Sequence, residues 1–350
     1  MATATGIFHT DYRTELALRH TRAEYARLAL VVGGLVAVPF LASPFWLTVI
    51  NQIGVAAIGA IGLNILTGFT GQISLGQGGF LAVGAYTSGL LVARLGLPTP
   101  VAMLAAILVA ALVGAFFGLP ALRLKGLYLA IATLASQFII LYLVRNDPLG
   151  ITGGVTALVV PQPELFGFAL RGDFRWYWVI VALGVVAALA ATNLFRTGLG
   201  RAFVAIRDQD IAAEVIGVDV WRYKLLAFAA SSGFVGLAGA LLAHYRSIVT
   251  WERFTLDVSI LYLAMIIVGG LGSVAGSIYG AAFMIGVDAF IRQLGRTLRD
   301  TLPVVTRELP AIQLGVFGLV IVLFLIFEPR GLARIWQRMK DYVRLWPFRY

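Results

Sequence analysis

The sequence predicts an all-α polytopic membrane protein. Of its 350 residues, 60% are hydrophobic and only 13% are charged. Apolar runs of about 18 to 22 residues recur along it, the length that crosses roughly 30 Å of hydrocarbon. The charges gather in the short segments between those runs. Because an α-helix satisfies its own backbone in lipid, each run is expected to be helical. The longest polar stretches, about 146–175 and 196–223, have roughly 30 residues each, too few for a separate core. One membrane domain over 27–328 is therefore expected, with a tail at 1–26 and a basic tail at 329–350.

Taken in order, apolar spans are expected at about 27–43, 46–66, 76–93, 100–119, 126–144, 176–195, 224–244, 258–270, 274–291 and 310–328, about ten transmembrane helices. Before the first, Asp11, Glu15 and Glu24 stand among Arg13, Arg19 and Arg22, which makes a poor secretory n-region. Leu41-Ala42-Ser43 resembles a cleavage site, but retention of the span is the reading adopted. The net charge of +10 sits in loops between spans, where it sets orientation, so nucleic acid is not an expected partner.

An even number of spans places both tails and the segments near 120–125 and 196–223 on one face. Those segments hold 17 of the 27 Lys and Arg, so the positive-inside rule puts both termini in the cytoplasm. Arg292, Arg296, Arg299 and Arg307 fall on the opposite face, where an amphipathic surface helix over 292–307, or a miscounted span, would account for them. The outer loop 146–175, with Asp147, Pro148, Gly150, Gly153, Gly154, Pro161 and Pro163, reads as turn-rich rather than helical.

Two glycine-rich breaks interrupt the apolar pattern. Gly68-Phe-Thr-Gly-Gln-Ile-Ser-Leu-Gly-Gln-Gly-Gly79 joins the second and third spans, and Gly269-Gly-Leu-Gly-Ser-Val-Ala-Gly276 joins two later ones. Glycine either lets backbones approach closely or lets a helix break so that its freed backbone groups face a cavity. Paired breaks in two halves of a membrane protein point to a translocation path, with Gly68, Gly71, Gln72, Ser74, Gly76, Gln77, Gly269, Gly270 and Gly272 as candidates. Close packing is the competing reading for each glycine. Gln72, Ser74 and Gln77 tilt the first segment towards a path.

Ionisable groups are nearly absent from the spans, which disfavours a proton relay. Asp288 lies near a span end with Arg292 four residues on, the spacing of an ion pair. The neutral polar residues Asn51, Gln52, Asn64, Thr133, Ser136, Gln137, Ser231, Ser232 and Gln313 suit interhelical hydrogen bonds for the most part. With no cysteine, and with His9, His20 and His244 far apart, no metal site is expected. No Gly-x4-Gly-Lys-Ser/Thr loop is present, so no ATP binding by that motif is expected.

The polar segment Gly200–Gly217 reads as a short charged helix. Asp208 or Asp210 can cap its start; Ile211, Ala212, Ala213, Val215 and Ile216 give it an apolar surface; Gly217 suits its stop. Two turns are marginal alone, so docking into a partner's groove would explain that surface. Rest on the bilayer is the alternative, disfavoured by Asp208, Asp210 and Glu214.

Here a resemblance enters. The loop, with Ala212-Ala213-Glu214 and Gly217, is similar to the ATPase-contacting loop of ABC importer permeases. The segments Gly62–Phe80, Arg123–Ala135, Val268-Gly-Gly-Leu-Gly-Ser273 and Phe327-Glu-Pro-Arg-Gly-Leu332 together resemble the second permease subunit of branched-chain amino acid ABC importers. One departure is Gln77, where family members often carry His. The resemblance implies a non-enzymatic permease fold in a bacterial inner membrane, paired with a homologous permease, two ATPase subunits and a periplasmic binding protein, amid membrane lipid. It marks 196–223 as the coupling loop, with Arg207, Asp208, Asp210, Ala212, Ala213, Glu214 and Gly217 as contact residues. It also implies that ATP and Mg are used by the partners and that this chain binds no cofactor. Relatives serve urea, aromatic acids and other small solutes, so the cargo stays open between these and a branched-chain amino acid. A secondary carrier and a scaffolding membrane protein are the rival readings.

Overall fold

The computed structural model describes residues 22–148, 150–165, 168–297, 309–328 and 330–345. The chain divides into two units, Met1–Thr48 and Val49–Tyr350. In the first, helix α1 (Arg22–Leu41) contains Pro39 just before its end, and α2 (Pro44–Asn64) starts on Pro44, whose missing N–H is no loss at a first helical position.

In the second unit α2 runs into a π-helical turn, Ile65–Phe69. An irregular stretch over 71–76 follows, and then α3 (Gln77–Leu95), α4 (Thr99–Ala121), α5 (Leu127–Asn146) and α6 (Asp173–Arg196). Beyond them come two short helices, α7 (Gly198–Asp208) and α8 (Asp210–Val215), and the long α9 (Val220–Arg246). The chain continues through a 3-10 turn (Trp251–Phe254), α10 (Leu256–Gly269), α11 (Val274–Thr297), α12 (Leu309–Phe327) and α13 (Gly331–Leu345).

The all-α polytopic expectation holds, although not every helix is long enough to span by itself. Among the described residues seven helices are long and apolar enough to cross a membrane, or eight if α12 and α13, bent by 48° at their junction, act as one. Every predicted span has a helix. However, α10 has 14 residues, about 21 Å at 1.5 Å per residue, which is short of the hydrocarbon thickness. The described apolar part of α1 is likewise short, Ala29–Leu41. Of the surface helix considered over 292–307, the structure shows α11 continuing to Thr297, and the remainder lies outside the described residues.

The loop between α5 and α6 carries no helix among its described residues. It does hold short strands that turn signals alone do not reveal. Strand β1 (Leu158–Val159) pairs antiparallel with β4 (Ile248–Val249), and β2 (Glu164–Leu165) with β3 (Phe168–Ala169). Asp147 starts the loop at φ 45, and its carboxylate accepts from the backbone N–H groups of Ile151 (2.6 Å), Thr152 (3.0 Å) and Gly153 (2.8 Å). Arg145 stacks 4.7 Å above the Trp251 ring, fastening the end of α5 to the 3-10 turn.

In the centre, α9 packs along α3 and α4. Lipid tails are as apolar as leucine, so tight association depends on close backbone approach at small residues. Gly84 of α3 faces the backbone of Gly236 on α9, Gly239 faces the Leu81 carbonyl, and a Cβ on Gly236 would also lie 2.9 Å from the Ala106 carbonyl of α4. Gly269, Gly276 and Gly280 bring α10 and α11 together in the same way. Around these crossings Ile58, Leu81, Val235, Leu241 and Met265 are fully buried. Asp288 and Arg292 form the expected ion pair, and Gln313 Nε2 donates to Asp288 Oδ1 at 3.0 Å.

Gly84→Ala is expected to lower the midpoint of denaturation in mild detergent, by about 1–3 kcal/mol for an overpacked crossing. Gly184→Ala, where the added carbon meets nothing within 4 Å, should leave the midpoint unchanged or raise it.

Candidate functional site

The two glycine-rich breaks and the 196–223 segment, far apart in sequence, meet in one place. Their meeting point is Asn64, the last residue of α2 before the π-helical turn. Its Oδ1 accepts from Gly272 N (2.9 Å), and its Nδ2 donates to Ser273 O (2.9 Å) and Ser277 Oγ (2.7 Å). A buried amide with both ends satisfied ties the first break to the second. Gly68 has to be glycine here, because a Cβ would fall on Asn64 Oδ1 and Gly272 N.

Arg207, near the end of α7, closes the cluster. Its Nη1 donates to Gly68 O at 3.2 Å and its Nη2 pairs with Asp208 at 3.0 Å. A Cβ on Gly71, which sits at φ +70, would lie 3.1 Å from Arg207 Cγ; one on Gly272, at φ +74, would lie 3.1 Å from Arg207 Nη1. Gly71 and Gly272 therefore supply both left-handed backbone and room for the guanidinium.

The irregular stretch 71–76 and the start of α3 are held by neighbouring helices. Leu75 N donates to Thr133 Oγ1 on α5 (2.9 Å), Gly78 N to Ser259 Oγ on α10 (2.8 Å), and Ser259 Oγ in turn to Gln137 Oε1 (2.6 Å). A Cβ on Gly76 would lie 2.8 Å from Thr133 O. Gln77 Nε2 donates to Gly59 O at 2.9 Å. Gln72, Ser74 and Gln77 are all buried, and among the described residues Gln72 Nε2 has no hydrogen-bond partner. Asn64, Thr133 and Gln137 thus serve interhelical bonding, as their composition suggested. Gly68, Gly76, Gly269, Gly270 and Gly272 each make a close backbone approach.

The 196–223 segment departs from one short helix. It forms two, broken at Gln209, whose backbone is extended at φ −159. Phe203 of α7 is buried in a small core with Ile65 and Leu66 of the π-helical turn, Leu129 and Phe228, and it meets Tyr223 edge-on at 6.5 Å. At the end of that turn Phe69 stacks on Phe195 with ring centroids 3.4 Å apart. The N-cap of α8 is Gln209, with no side-chain cap, so the capping role assigned to Asp208 or Asp210 is corrected. Asp210 instead turns to two lysines, Lys125 Nζ at 2.6 Å and Lys224 Nζ at 3.3 Å. Opposite charges at this range outcompete a backbone cap. Gly217, at φ +90, ends the helix as its type suggested, with Gly217 N on Glu214 O and Val218 N on Ala213 O.

Only Ala213 of α8 is buried; Ile211, Ala212, Glu214, Val215 and Ile216 face outward, Val215 being 82% exposed. Beside α8 lies a cleft of about 400 Å3, lined among others by Gly71, Gln72, Lys125, Arg207, Asp210 and Lys224. The segment thus combines a fixed root with an uncovered apolar tip. Among the described residues no group of three potential ligands could hold a metal, and His244 is engaged with Ser88 at 2.7 Å.

Lys125 and Lys224 entered the sequence reading only as charge, and Ser259 not at all. Nothing in their local pattern marks them; their importance comes from what the fold sets beside them.

The hydrogen bond from Lys125, aided by that from Lys224 and opposed by partial burial, holds the Asp210 carboxyl below its usual range. A lowered folded pKa means that this contribution is complete above the unfolded value of about 3.9 and is lost as pH falls through the folded one. Amide-exchange protection of α8 should therefore be flat from about pH 7 to 5 and decline only in stronger acid. In Lys125→Met the decline should begin at higher pH.

A family model described as "Branched-chain amino acid transport system / permease component" matches residues 45–325. The high-affinity branched-chain amino acid transport system permease protein LivM of Salmonella typhimurium strain LT2 is 34% identical over 321 residues, 85% of this chain and 72% of that protein. LivM of Escherichia coli K12 is 33% identical over the same shares. The autoinducer 2 import system permease protein LsrC of Enterobacter sp. strain 638 is 29% identical over 208 residues, 56% of this chain and 57% of that protein. No solved structure matches the chain. With a match across most of its length and a helical membrane architecture to accompany it, the chain belongs to the family of branched-chain amino acid transport system permease components.

Proposed function

We propose that this chain is a transmembrane subunit of an ATP-driven importer, forming with a homologous second permease the path for a branched-chain or related amino acid. The observation that carries this is the rooted, outward-facing helix α8. Its base is fixed by the Asp210 ion pairs and by Phe203, and its Ile211, Val215 and Ile216 are exposed. A stable monomer has little use for such a tip. A groove on an ATPase subunit would cover it, in the manner of a helix docked by its apolar face.

On this reading two ATPase subunits use ATP and Mg on the face that carries α7 and α8, while this chain binds neither. That face is cytoplasmic, with both termini, in a bacterial inner membrane. A periplasmic binding protein delivers the cargo to the other face. Arg207, Asp208, Asp210, Ala212, Ala213, Glu214 and Gly217 form the coupling contact. Gly68, Gly71, Gln72, Ser74, Gly76 and Gln77, with Gly269, Gly270 and Gly272, border the path. Movement of α8 would reach these residues through Arg207 and the Gly68 carbonyl, a contact of 3.2 Å. The unpartnered Nε2 of Gln72 supplies a donor for a polar solute or its water.

A second cargo class keeps a place because of the LsrC match: that relative's name specifies autoinducer 2, so the same scaffold can accompany other small organic solutes. A lone secondary carrier finds little support, since the spans nearly lack ionisable groups.

Two substitutions test the contact. Glu214→Lys should reduce ATP-dependent uptake at least tenfold at equal expression, with the spans folded as judged by size-exclusion profile. Gly71→Val, which crowds Arg207, should uncouple ATP hydrolysis from uptake while the ATPases still copurify. Wild-type uptake in both would remove the coupling role from this junction.

A further inference from the structure

Helix α13 lies within the basic tail expected at 329–350. Leu332, Ile335, Trp336, Met339 and Tyr342 recur along it at helical spacing, while Arg334, Gln337, Arg338, Lys340 and Asp341 fill the opposite side. Leu332 packs against the core at the root of the helix, while Ile335, Trp336, Met339 and Tyr342 beyond it are exposed among the described residues. Trp336, although its ring lies 6.2 Å from that of Tyr279, is 53% exposed, and Tyr342 is 58% exposed.

The root of this helix is fixed. Gly331, at φ +70, lies so close to the second glycine break that a Cβ would stand 2.6 Å from Gly270 N and 2.8 Å from Val268 O. Arg338 Nη1 donates to Glu328 Oε2 at 2.8 Å. The Gly270 turn leads through Gly272 to Asn64 and Arg207, so α13 emerges on the face that carries α7 and α8.

Its chemistry selects its surroundings. The ionised residues on α13 bar it from the hydrocarbon centre. It nevertheless follows the uncharged, largely apolar α12 after a three-residue break and turns from it by 48°, so it starts at the membrane boundary. From Glu328 to Tyr350 the sequence has six Lys or Arg against two acidic residues. Trp and Tyr at the edge of an apolar stripe are the residues that settle at headgroup level.

We propose that α13 lies along the bilayer surface on that face, its apolar side sunk at the acyl-chain boundary and its basic side among anionic phospholipid headgroups. The occupant is a lipid surface, because basic charge complements anionic headgroups and the helix continues directly from a span. The inference does not depend on the cargo or on the importer reading.

The chain has no cysteine, so single cysteines report cleanly. Met339→Cys on the apolar side and Gln337→Cys on the polar side would each carry a spin label in the full-length chain. The chain would be placed in nanodiscs of phosphatidylcholine alone or mixed with phosphatidylglycerol. The expected result is that, with phosphatidylglycerol, the label at 339 becomes accessible to oxygen and protected from a water-soluble nickel chelate, while the label at 337 stays nickel-accessible. Lys340→Gln should weaken that protection about fivefold at low salt, and salt should weaken it in the wild-type background. Tyr342→Cys provides a second apolar-side probe if the variant at 339 does not fold. Equal nickel access at both sides in phosphatidylglycerol discs would overturn the proposal. So would protection of 339 that appears only when other protein subunits are added.

Discussion

Everything at the centre of this molecule depends on one requirement: backbone that leaves the helix inside a membrane-level bundle must find its hydrogen bonds within the protein. Two stretches leave the helix here, 71–76 and the turn at 270–273. Thr133 accepts from Leu75 in the first, Ser259 accepts from Gly78 in the opening turn of α3, and Asn64 meets the second. Each supporting residue is a small polar side chain set in an otherwise apolar helix. Losing one would strand a buried donor or acceptor, which costs more than a hydrogen bond contributes when made.

Meeting that requirement also joins distant parts of the chain. Asn64 can bond the second break only because the π-helical turn after it places Gly68 against Gly272. The carbonyl of Gly68 then receives Arg207 from the charged segment. A π-helical turn frequently marks a place where a helix is bent to a purpose. Here it presents Ile65 and Leu66 to Phe203, so that α7 rests on α2 through packing as well as through the guanidinium. The fold therefore offers a short mechanical route between an exposed helix and two irregular stretches of membrane-level backbone.

How much of this was legible in the sequence follows from the range of each interaction. Apolar runs report helices because span length is a local property, and each expected run carries one. The stop at Gly217 and the Asp288–Arg292 pair were equally local and were read correctly. Ten apolar runs were legible and each carries a helix, but hydropathy does not by itself separate a helix long enough to span, such as α9, from a short one such as α10. The division of the charged segment at Gln209 and the turning of Asp210 towards Lys125 and Lys224 were not visible, since the lysines come from other parts of the chain. The glycines could be located but not interpreted: whether one faces a cavity or a neighbouring backbone depends on the neighbour. The helical period of α13 is present in the residues, but its charge keeps it from standing out as an apolar run.

As proposed above, this chain works as part of an ATP-driven assembly through the junction of α8, Arg207 and the first glycine break. The most direct measurement of this is accumulation of a labelled branched-chain amino acid by proteoliposomes containing this chain with the permease, ATPases and binding protein that copurify with it. Accumulation is expected only with ATP on the face that carries α8 and binding protein on the other, and it should be lost in Arg207→Met despite intact assembly. Accumulation without ATP, or undiminished accumulation in Arg207→Met, would contradict the proposal.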